Sequence, residues 1–317
     1  MTFDLSKILF IATANSLGTI PGPLMDRMEV IEVDGYTMED KVRIAQEFII
    51  PEQITEHGIS HEQIVFPDEG LRFLIESYTR EAGVRSLKRE VGAMCRRVAR
   101  DVASETLMGK KSCTAEYISE VRGPIKYLND IAEQQPTPGV VCGLAWTAAG
   151  GDVLFVEATK MVGEGKVKIT GRLGEVMKES VEVAASVVRV LGPKYGVPKE
   201  AFKEFDIHIH FPSGAVPKDG PSAGAAIFTA ILSSLLDKPV RCDVAMTGET
   251  CLRGTVLPIG GVKEKTMAAH RAGIKKVLLP EKNRKDLPDI SQLVQDSLEI
   301  VFVSTVEEVL AEVLIDD

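Results

Sequence analysis

The pattern of hydrophobic and polar positions divides the chain into three stretches. In the first, two short apolar runs, residues 8–14 and 29–33, are typical of fully buried strands and are separated by a loop rich in Pro and Gly. Two such strands cannot enclose a core of their own. We therefore expect residues 1–33 to be the last part of a larger α/β domain whose other strands precede this chain.

In the second stretch, from Thr37 to about Val121, apolar positions recur at the spacing of amphipathic helices. Helices are predicted over residues 38–48, 69–78 and 86–103. Breaks are predicted at Gly58, Pro67 and Gly83. The pattern therefore predicts a small helical domain over residues 34–122, and residues 123–139, with Gln134-Gln-Pro-Thr-Pro138, have the composition of a linker.

In the third stretch, residues 140–317, short strand patterns alternate with helical ones. Strands are predicted at Gly143–Trp146, Gly151–Ala158, Lys166–Thr170, Asp206–Phe211, Asp243–Thr247, Gly254–Pro258, Lys276–Leu279 and Glu299–Val303. Helices are predicted over residues 174–191, 222–236 and 262–272. This arrangement indicates an α+β domain of mixed strand order, without an internal repeat.

Composition narrows the class of protein. Hydrophobic residues make up 44% of the chain and charged residues 26%, which is ordinary for a soluble globular protein. The net charge of −9 argues against a dedicated nucleic-acid binder, which needs a concentrated basic surface. The five cysteines include no C-x-x-C pair, so neither a disulfide framework nor a metal site is indicated. Without a signal peptide or a long apolar run, we expect a soluble, intracellular protein.

The densest chemical pattern is Phe211-Pro-Ser-Gly-Ala-Val-Pro-Lys-Asp-Gly-Pro-Ser-Ala-Gly224. A turn-rich loop leads into an apolar helix that starts at Pro221-Ser222, and Asp219 or Gly220 can cap that helix. Ser222 would then lie among free backbone N–H groups, which are the donors that a developing oxyanion requires. The pattern G-x-S-x-G is weak by itself, because small residues at a helix start also serve tight packing.

A catalytic serine also needs a base. His270 is the only later histidine, and a long loop separates the preceding strand from Ser222, so a His-based hydrolase site matches poorly. Lys263 and Lys265 are the other candidates, in a helix after Gly260-Gly261. The helical neighbours of Lys265 are small and apolar, so it should face the core, where burial lowers the pKa of an amine. The alternative is a lysine stem that reaches the solvent.

These segments carry a family resemblance. Pro217-Lys-Asp-Gly-Pro-Ser-Ala-Gly224, Thr247-Gly-Glu-Thr-Cys-Leu-Arg-Gly254 and Val256-Leu-Pro-Ile-Gly-Gly-Val-Lys-Glu-Lys265 closely resemble the proteolytic domain of Lon proteases. The resemblance implies a mixed α/β fold like domain 2 of ribosomal protein S5, with a Ser222–Lys265 catalytic dyad. It also implies supporting roles for Thr247, which contacts the lysine, for Glu157, His208 and His210 near the site, and for Asp219, which contacts the dyad in inactive arrangements.

The resemblance extends to the rest of the chain. Phe10-Ile-Ala-Thr-Ala-Asn15 resembles the sensor-1 strand of an AAA+ ATPase, the segment around Arg27 its arginine finger, and the segment around Arg85 its sensor 2. Residues 1–33 would then be the remnant of the AAA+ large subdomain, and residues 34–122 the helical lid. ATP and Mg²⁺ would serve the full-length enzyme, but this chain has no G-x-x-x-x-G-K-[ST] loop and should not hydrolyse ATP.

The function that the resemblance implies is that of an ATP-dependent serine endopeptidase. Such an enzyme forms a homohexameric ring and degrades unfolded or damaged proteins in quality control. We expect a bacterial cytoplasmic location, although organellar relatives share the motifs, and no membrane or nucleic-acid partner. Two alternatives stay open: a non-proteolytic, DNA-binding ring module, whose relatives lack the dyad, and an esterase that depends on His270.

Overall fold

The computed structural model describes residues 5–14, 20–31, 33, 35–107, 109–127, 135–147, 150–212 and 218–315. Contacts divide the chain into two units, Met1–Asp34 and Gly35–Asp317. The second unit contains separate apolar cores, one in the helical region and two on the faces of a sheet. None of the helices in the described ranges is long and apolar enough to cross a lipid bilayer.

The first unit contains one short helix, α1 (Gly22–Met25), in its described part. The apolar runs at residues 8–14 and 29–33 were expected to be buried strands, and in their described residues this prediction is wrong. Leu9, Phe10 and Ile11 are 83%, 70% and 86% exposed, and no strand is formed there. A strand requires a neighbour that satisfies its N–H and C=O groups, and the described residues of this unit provide none.

The helical region of the second unit confirms the predicted helices and adds others. Its elements are α2 (Met38–Ile44), a π-helical turn (Ala45–Ile49), α3 (Ile50–Glu56), α4 (Asp68–Tyr78), α5 (Arg85–Ala103), α6 (Ala115–Arg122) and the parallel pair β1 (Ile64–Val65) and β2 (Lys111–Ser112). Thr37 starts α2 with a capping box, since its hydroxyl accepts from the Asp40 N–H while the Asp40 carboxylate accepts from the Thr37 N–H. Leu71, Leu74 and Leu87 are fully buried between the helices.

A mixed sheet forms the frame of the third region. Its strands are β3 (Val140–Thr147), β4 (Gly150–Val162), β5 (Val167–Thr170), β6 (Phe205–His210), β7 (Val244–Met246), β10 (Lys276–Pro280) and β11 (Glu299–Val303), while β8 (Glu249–Thr250) and β9 (Val256–Leu257) form a separate pair. The order in the large sheet is β11-β10-β7-β3-β4-β6-β5. The pairings β3–β4 and β4–β6 are antiparallel and the others are parallel. The mixed α/β fold class is thus confirmed.

Helices cover both faces of this sheet. They are α7 (Glu175–Leu191), α8 (Ala201–Glu204), α9 (Gly224–Leu236), α10 (Val262–Arg271), α11 (Gln292–Ser297) and α12 (Val306–Val313), with 3₁₀ segments at Gly192–Tyr195, Pro221–Ala223 and Glu281–Asp289. Strand alternation separates the two cores. Leu154 and Val156 of β4 pack with α7, α9 and α12, whereas Val153 and Phe155 point to the face that α10 covers.

Candidate active site

Ser222 lies in a 3₁₀ turn, Pro221–Ala223, that leads directly into α9. Gly220 precedes the turn with φ +127°, a conformation that favours glycine. The backbone N–H of Gly224 donates to the carbonyl oxygen of Pro221 and closes this turn. The half-buried serine therefore lies at the start of a helix, where the first backbone N–H groups generally have no partner within the helix.

Of the two residues predicted to cap this turn, Gly220 occupies the N-cap position and Asp219 does not. Oδ1 of Asp219 instead accepts hydrogen bonds from the Met177 N–H, at 3.1 Å, and from the Gly220 N–H, at 3.0 Å. Met177 is the third residue of α7, so Asp219 caps a helix that lies elsewhere in the sequence. The carboxylate thereby fixes the segment that leads into Ser222 to the start of α7.

Lys265 is buried, with only 2% of its surface exposed. Its helix α10 follows Gly261, which has φ +69°, and the buried Ala268 and Ala269 share its inward face. The prediction that this lysine faces the core is confirmed, because the small neighbours leave space for its stem. Lys263, on the adjacent face of the same helix, is only half-buried.

Burial changes the acidity of the Lys265 amine. Desolvation lowers the pKa of Lys265 to about 8, against a smaller opposing effect of Glu264. No carboxylate in the described part of the chain forms an ion pair with the amine. Its Nζ donates one hydrogen bond, of 3.1 Å, to the hydroxyl of Thr247. A buried amine with this pKa can exist in the neutral form close to physiological pH, as a general base requires.

Thr247 connects the lysine to the serine. It follows β7 directly and is 1% exposed. Its hydroxyl accepts from Lys265 and donates to the backbone carbonyl oxygen of Ser222 at 3.2 Å. The same carbonyl accepts from the Gly248 N–H at 2.9 Å. The end of β7, the start of α9 and the buried face of α10 therefore meet at Thr247.

Comparison with known proteins decides what family this site belongs to. The family model for the Lon protease (S16) C-terminal proteolytic domain matches residues 112–316, and the model for the Lon protease AAA+ ATPase lid domain matches residues 55–112. The chain belongs to the Lon protease family. The Lon protease of Anaeromyxobacter dehalogenans (strain 2CP-C) is 51% identical over 316 residues, which cover 99% of this chain and 38% of that protein.

Other relatives give the same result. Lon protease 2 of Sorangium cellulosum (strain So ce56) is 52% identical over 314 residues, and these cover 99% of this chain and 39% of that protein. Lon protease 2 of Myxococcus xanthus is 51% identical, covering 98% and 38%. The chain thus spans about two fifths of the length of these curated relatives. It contains the Lon lid and proteolytic domains.

Three of the predicted supporting residues, Glu157, His208 and His210, lie together on neighbouring strands. Glu157 of β4 lies opposite His210 of β6 in the antiparallel register. The Thr170 hydroxyl of β5 lies 3.0 Å from Nε2 of His208 and 2.7 Å from Nδ1 of His210. Among the described residues, none of these four side chains hydrogen-bonds to Ser222, Thr247 or Lys265. Thr170 was not predicted, since only the strand register places it beside the histidines.

Asn15, Arg27 and Arg85 are the residues that resemble parts of a nucleotide site. Asn15 lies outside the described residues. Arg27 follows α1 and is exposed, and Arg85 is the exposed first residue of α5. Because the sequence contains no P-loop, the residues present do not fit an ATP–Mg²⁺ complex.

The histidine alternative also lacks a geometric basis. His270 lies on α10 and lines a small cavity together with Lys41, Met38 and Tyr36 of the helical region. Among the described residues it makes no hydrogen bond with Ser222. Thr247, which contacts Lys265, does hydrogen-bond to Ser222, at the backbone carbonyl oxygen of the serine.

Proposed function

We propose that this chain is a serine endopeptidase in which Ser222 is the nucleophile and Lys265 the general base. The observation that supports the proposal best is the buried amine of Lys265, which bonds to the hydroxyl that also contacts Ser222. A lysine is almost never enclosed in this way unless it is paired or has a lowered pKa. The lowered pKa of Lys265 supports its role as the base that a serine nucleophile requires.

The proposed reaction follows from these positions. Neutral Lys265 takes the proton of the Ser222 hydroxyl as its oxygen attacks the carbonyl carbon of a peptide bond. The oxyanion that forms is received by the N–H groups of Ser222 and Ala223 at the helix start. The intermediate collapses to an acyl ester when Lys265 returns the proton to the leaving amine. Water then attacks the ester, with Lys265 again accepting a proton, and the carboxylic acid and free Ser222 are released.

The wider role concerns the complete protein. We infer that unfolded or damaged polypeptides are the substrates, in protein quality control, and that the intact enzyme acts as a homohexameric ring in the bacterial cytoplasm. Threading driven by ATP would depend on parts of the relatives that this chain does not span. The 317-residue chain should therefore cleave loose polypeptide without ATP.

The test compares three alanine variants with the wild type on casein and on a fluorogenic peptide. Ser222→Ala and Lys265→Ala should each reduce cleavage by roughly a thousandfold or more, as losses of catalytic residues do. Lys263→Ala is the matched control, since it removes a lysine from the same helix, and it should retain activity. Full cleavage by Ser222→Ala would refute the assignment, and salt-dependent DNA binding without any peptidase activity would favour the non-proteolytic alternative.

A further inference from the structure

The first residues of β4, Gly150–Asp152, lie against the helix that carries Lys265; we call them the β4 start. A Cβ atom on Gly151 would lie 1.9 Å from the carbonyl oxygen of Glu264 and 3.0 Å from the backbone nitrogen of Lys265. The two backbones are thus in direct contact beside Lys265, and only glycine permits this approach. The position of α10 therefore depends on the position of the β4 start.

A second contact joins the β4 start to the last residue of α10. Nη2 of Arg271 donates a hydrogen bond of 2.8 Å to the carbonyl oxygen of Gly151. Gly151 therefore touches α10 both at Glu264, next to Lys265, and at Arg271, almost two helical turns further on. These contacts make the β4 start a support that runs along the helix.

The helical region holds the β4 start through Asp152. The carboxylate of Asp152 forms a short ion pair with the guanidinium of Arg80, which lies between α4 and α5. The charges of Arg271 and Lys218 also interact with that of Asp152. One carboxylate of the proteolytic region is thus surrounded by a cation of the helical region, a cation of α10 and a cation next to Asp219.

Arg80 is itself part of a firmly bonded segment. The carbonyl oxygen of the next residue, Glu81, accepts a hydrogen bond of 2.5 Å from Lys41, which is 4% exposed. The Glu81 carboxylate accepts hydrogen bonds of 2.8 Å from the N–H groups of Ser86 and Leu87 at the start of α5. Two helices of the helical region therefore hold the backbone from which Arg80 reaches Asp152.

We propose that Asp152 is a positioning residue for Lys265: through its ion pair with Arg80 it holds the β4 start against α10, which keeps the amine beside Thr247. The inference rests on the proposed role of Lys265 as base. Asp152 touches no reacting atom in this scheme. Its effect reaches the amine through the contact of Gly151 with the backbone at Glu264 and Lys265.

The test is a double-mutant cycle in the 317-residue chain, with Arg80→Gln, Asp152→Asn and the two combined. A charge swap is avoided because an arginine at position 152 would face Arg271 and Lys218. We expect each single variant to reduce kcat for the fluorogenic peptide roughly threefold to tenfold, with little change in KM. The double variant should be no slower than the slower single variant, because both remove the same contact.

The pH profile separates positioning from a through-space effect of charge. A loosened α10 admits water to Lys265 and raises its pKa, so both single variants should move the rising limb of kcat to higher pH. If the charges acted through space, the rising limb of kcat would move in opposite directions in the two variants. Arg80→Gln removes a cation and would raise the pKa of Lys265, whereas Asp152→Asn removes an anion and would lower it. Glu264 is the charged group that affects the pKa of Lys265 within the described chain, and it is unchanged in all variants.

Hydrogen–deuterium exchange of the amides of α10 gives a readout that does not need cleavage. Exchange there should become faster in Arg80→Gln and in Asp152→Asn. Arg72→Gln is the matched control, because it breaks a comparably exposed ion pair with Glu39 in the same helical region, and it should leave kcat and exchange unchanged. The proposal would be overturned if both Arg80→Gln and Asp152→Asn kept the wild-type kcat and exchange rates. It would also be overturned if their losses of kcat were additive in the double variant, or if their pH profiles moved in opposite directions. Retained cleavage in Ser222→Ala would instead overturn the catalytic assignment, and the exchange rates would still decide the role of Asp152.

Discussion

The amine of Lys265 donates a hydrogen bond of 3.1 Å to the hydroxyl oxygen of Thr247, and both side chains are almost completely buried. A hydroxyl can accept one hydrogen bond while it donates another. Thr247 uses both capacities, since it also donates to the Ser222 carbonyl oxygen. The orientation of the amine is therefore fixed relative to the backbone that carries the nucleophile.

Replacing Thr247 by valine tests this connection. Thr247→Val keeps the shape of the side chain but leaves the amine without its acceptor, so Lys265 should be poorly oriented. We expect kcat to fall roughly tenfold to a hundredfold, because a buried donor left without its acceptor costs about 1–3 kcal/mol. Thr247→Ser retains a hydroxyl and should recover most of the activity in steady-state peptide cleavage. Equal losses in the two variants would contradict the orienting role.

The pKa of Lys265 predicts how cleavage depends on pH. Because the pKa is lowered to about 8, and because only the neutral amine can accept a proton, kcat should rise with pH and level off above about 8. Lys263→Ala should leave this rising limb in place. A profile that is flat from pH 6 to pH 9 would show that another group is the base.

The same lowered pKa predicts the effect of Lys265→Met on stability. The unfolded chain has the higher lysine pKa, near 10.5, so between about pH 8 and 10.5 the unfolded state binds more protons and stability rises with pH. Below pH 8 the amine is charged in the folded and the unfolded chain, so the full free-energy cost of burying the charge lowers stability. At pH 7 the methionine variant should therefore be more stable by up to about 3 kcal/mol, though inactive. Urea unfolding should show this gain shrinking towards pH 10.5, and a gain independent of pH would rule out this origin.

Asp219 offers a test that separates helix capping from contact with the dyad. Asp219→Ala removes the acceptor for the Met177 N–H at the start of α7 and should lower the free energy of unfolding by about 1 kcal/mol. Asp219→Asn keeps a good capping group and should be close to the wild type in urea unfolding. If the carboxylate restrained the dyad through its charge, both variants would raise kcat alike.

Gly151 tests the contact between the β4 start and α10. Gly151→Ala places a methyl group 1.9 Å from the Glu264 carbonyl oxygen, so the helix that carries Lys265 must shift. We expect kcat to fall at least roughly tenfold, and unfolding to become easier by about 1–3 kcal/mol, as overpacking does. Gly260→Ala is the control, because a Cβ atom at that exposed position meets nothing within 4 Å. Equal kcat in the two variants would contradict the contact.

The features that depend on local periodicity could be predicted from the sequence. The small residues around Lys265 share one face of a helix, and this face is buried as predicted. The strand predicted at residues 206–211 alternates polar and apolar positions, and the structure has it at Phe205–His210. The strand predicted at residues 299–303 is a continuous apolar run after its first residue, and the structure has it at Glu299–Val303. Helices α5 and α7 were found for the same reason.

Features that depend on distant partners could not be predicted. Asp219 binds the start of α7, far away in the sequence, and nothing in its local sequence indicated that contact. Thr170 meets two histidines only through the parallel register of β5 and β6. Conversely, the apolar runs of the first unit indicated strands, but a strand forms only where another chain segment pairs with it.

Helix α9, which follows the serine, and helix α10, which carries the lysine, differ in how completely they are buried. Twelve of the thirteen residues of α9 are buried, whereas only five of the ten residues of α10 are. A helix that is packed on all sides cannot move without opening voids in the core. We therefore expect changes in the geometry of the site to come from movements of α10. The backbone around Ser222 should therefore keep one position when a covalent inhibitor reacts with the serine hydroxyl. The rate of that reaction would then depend on the position of the Lys265 amine.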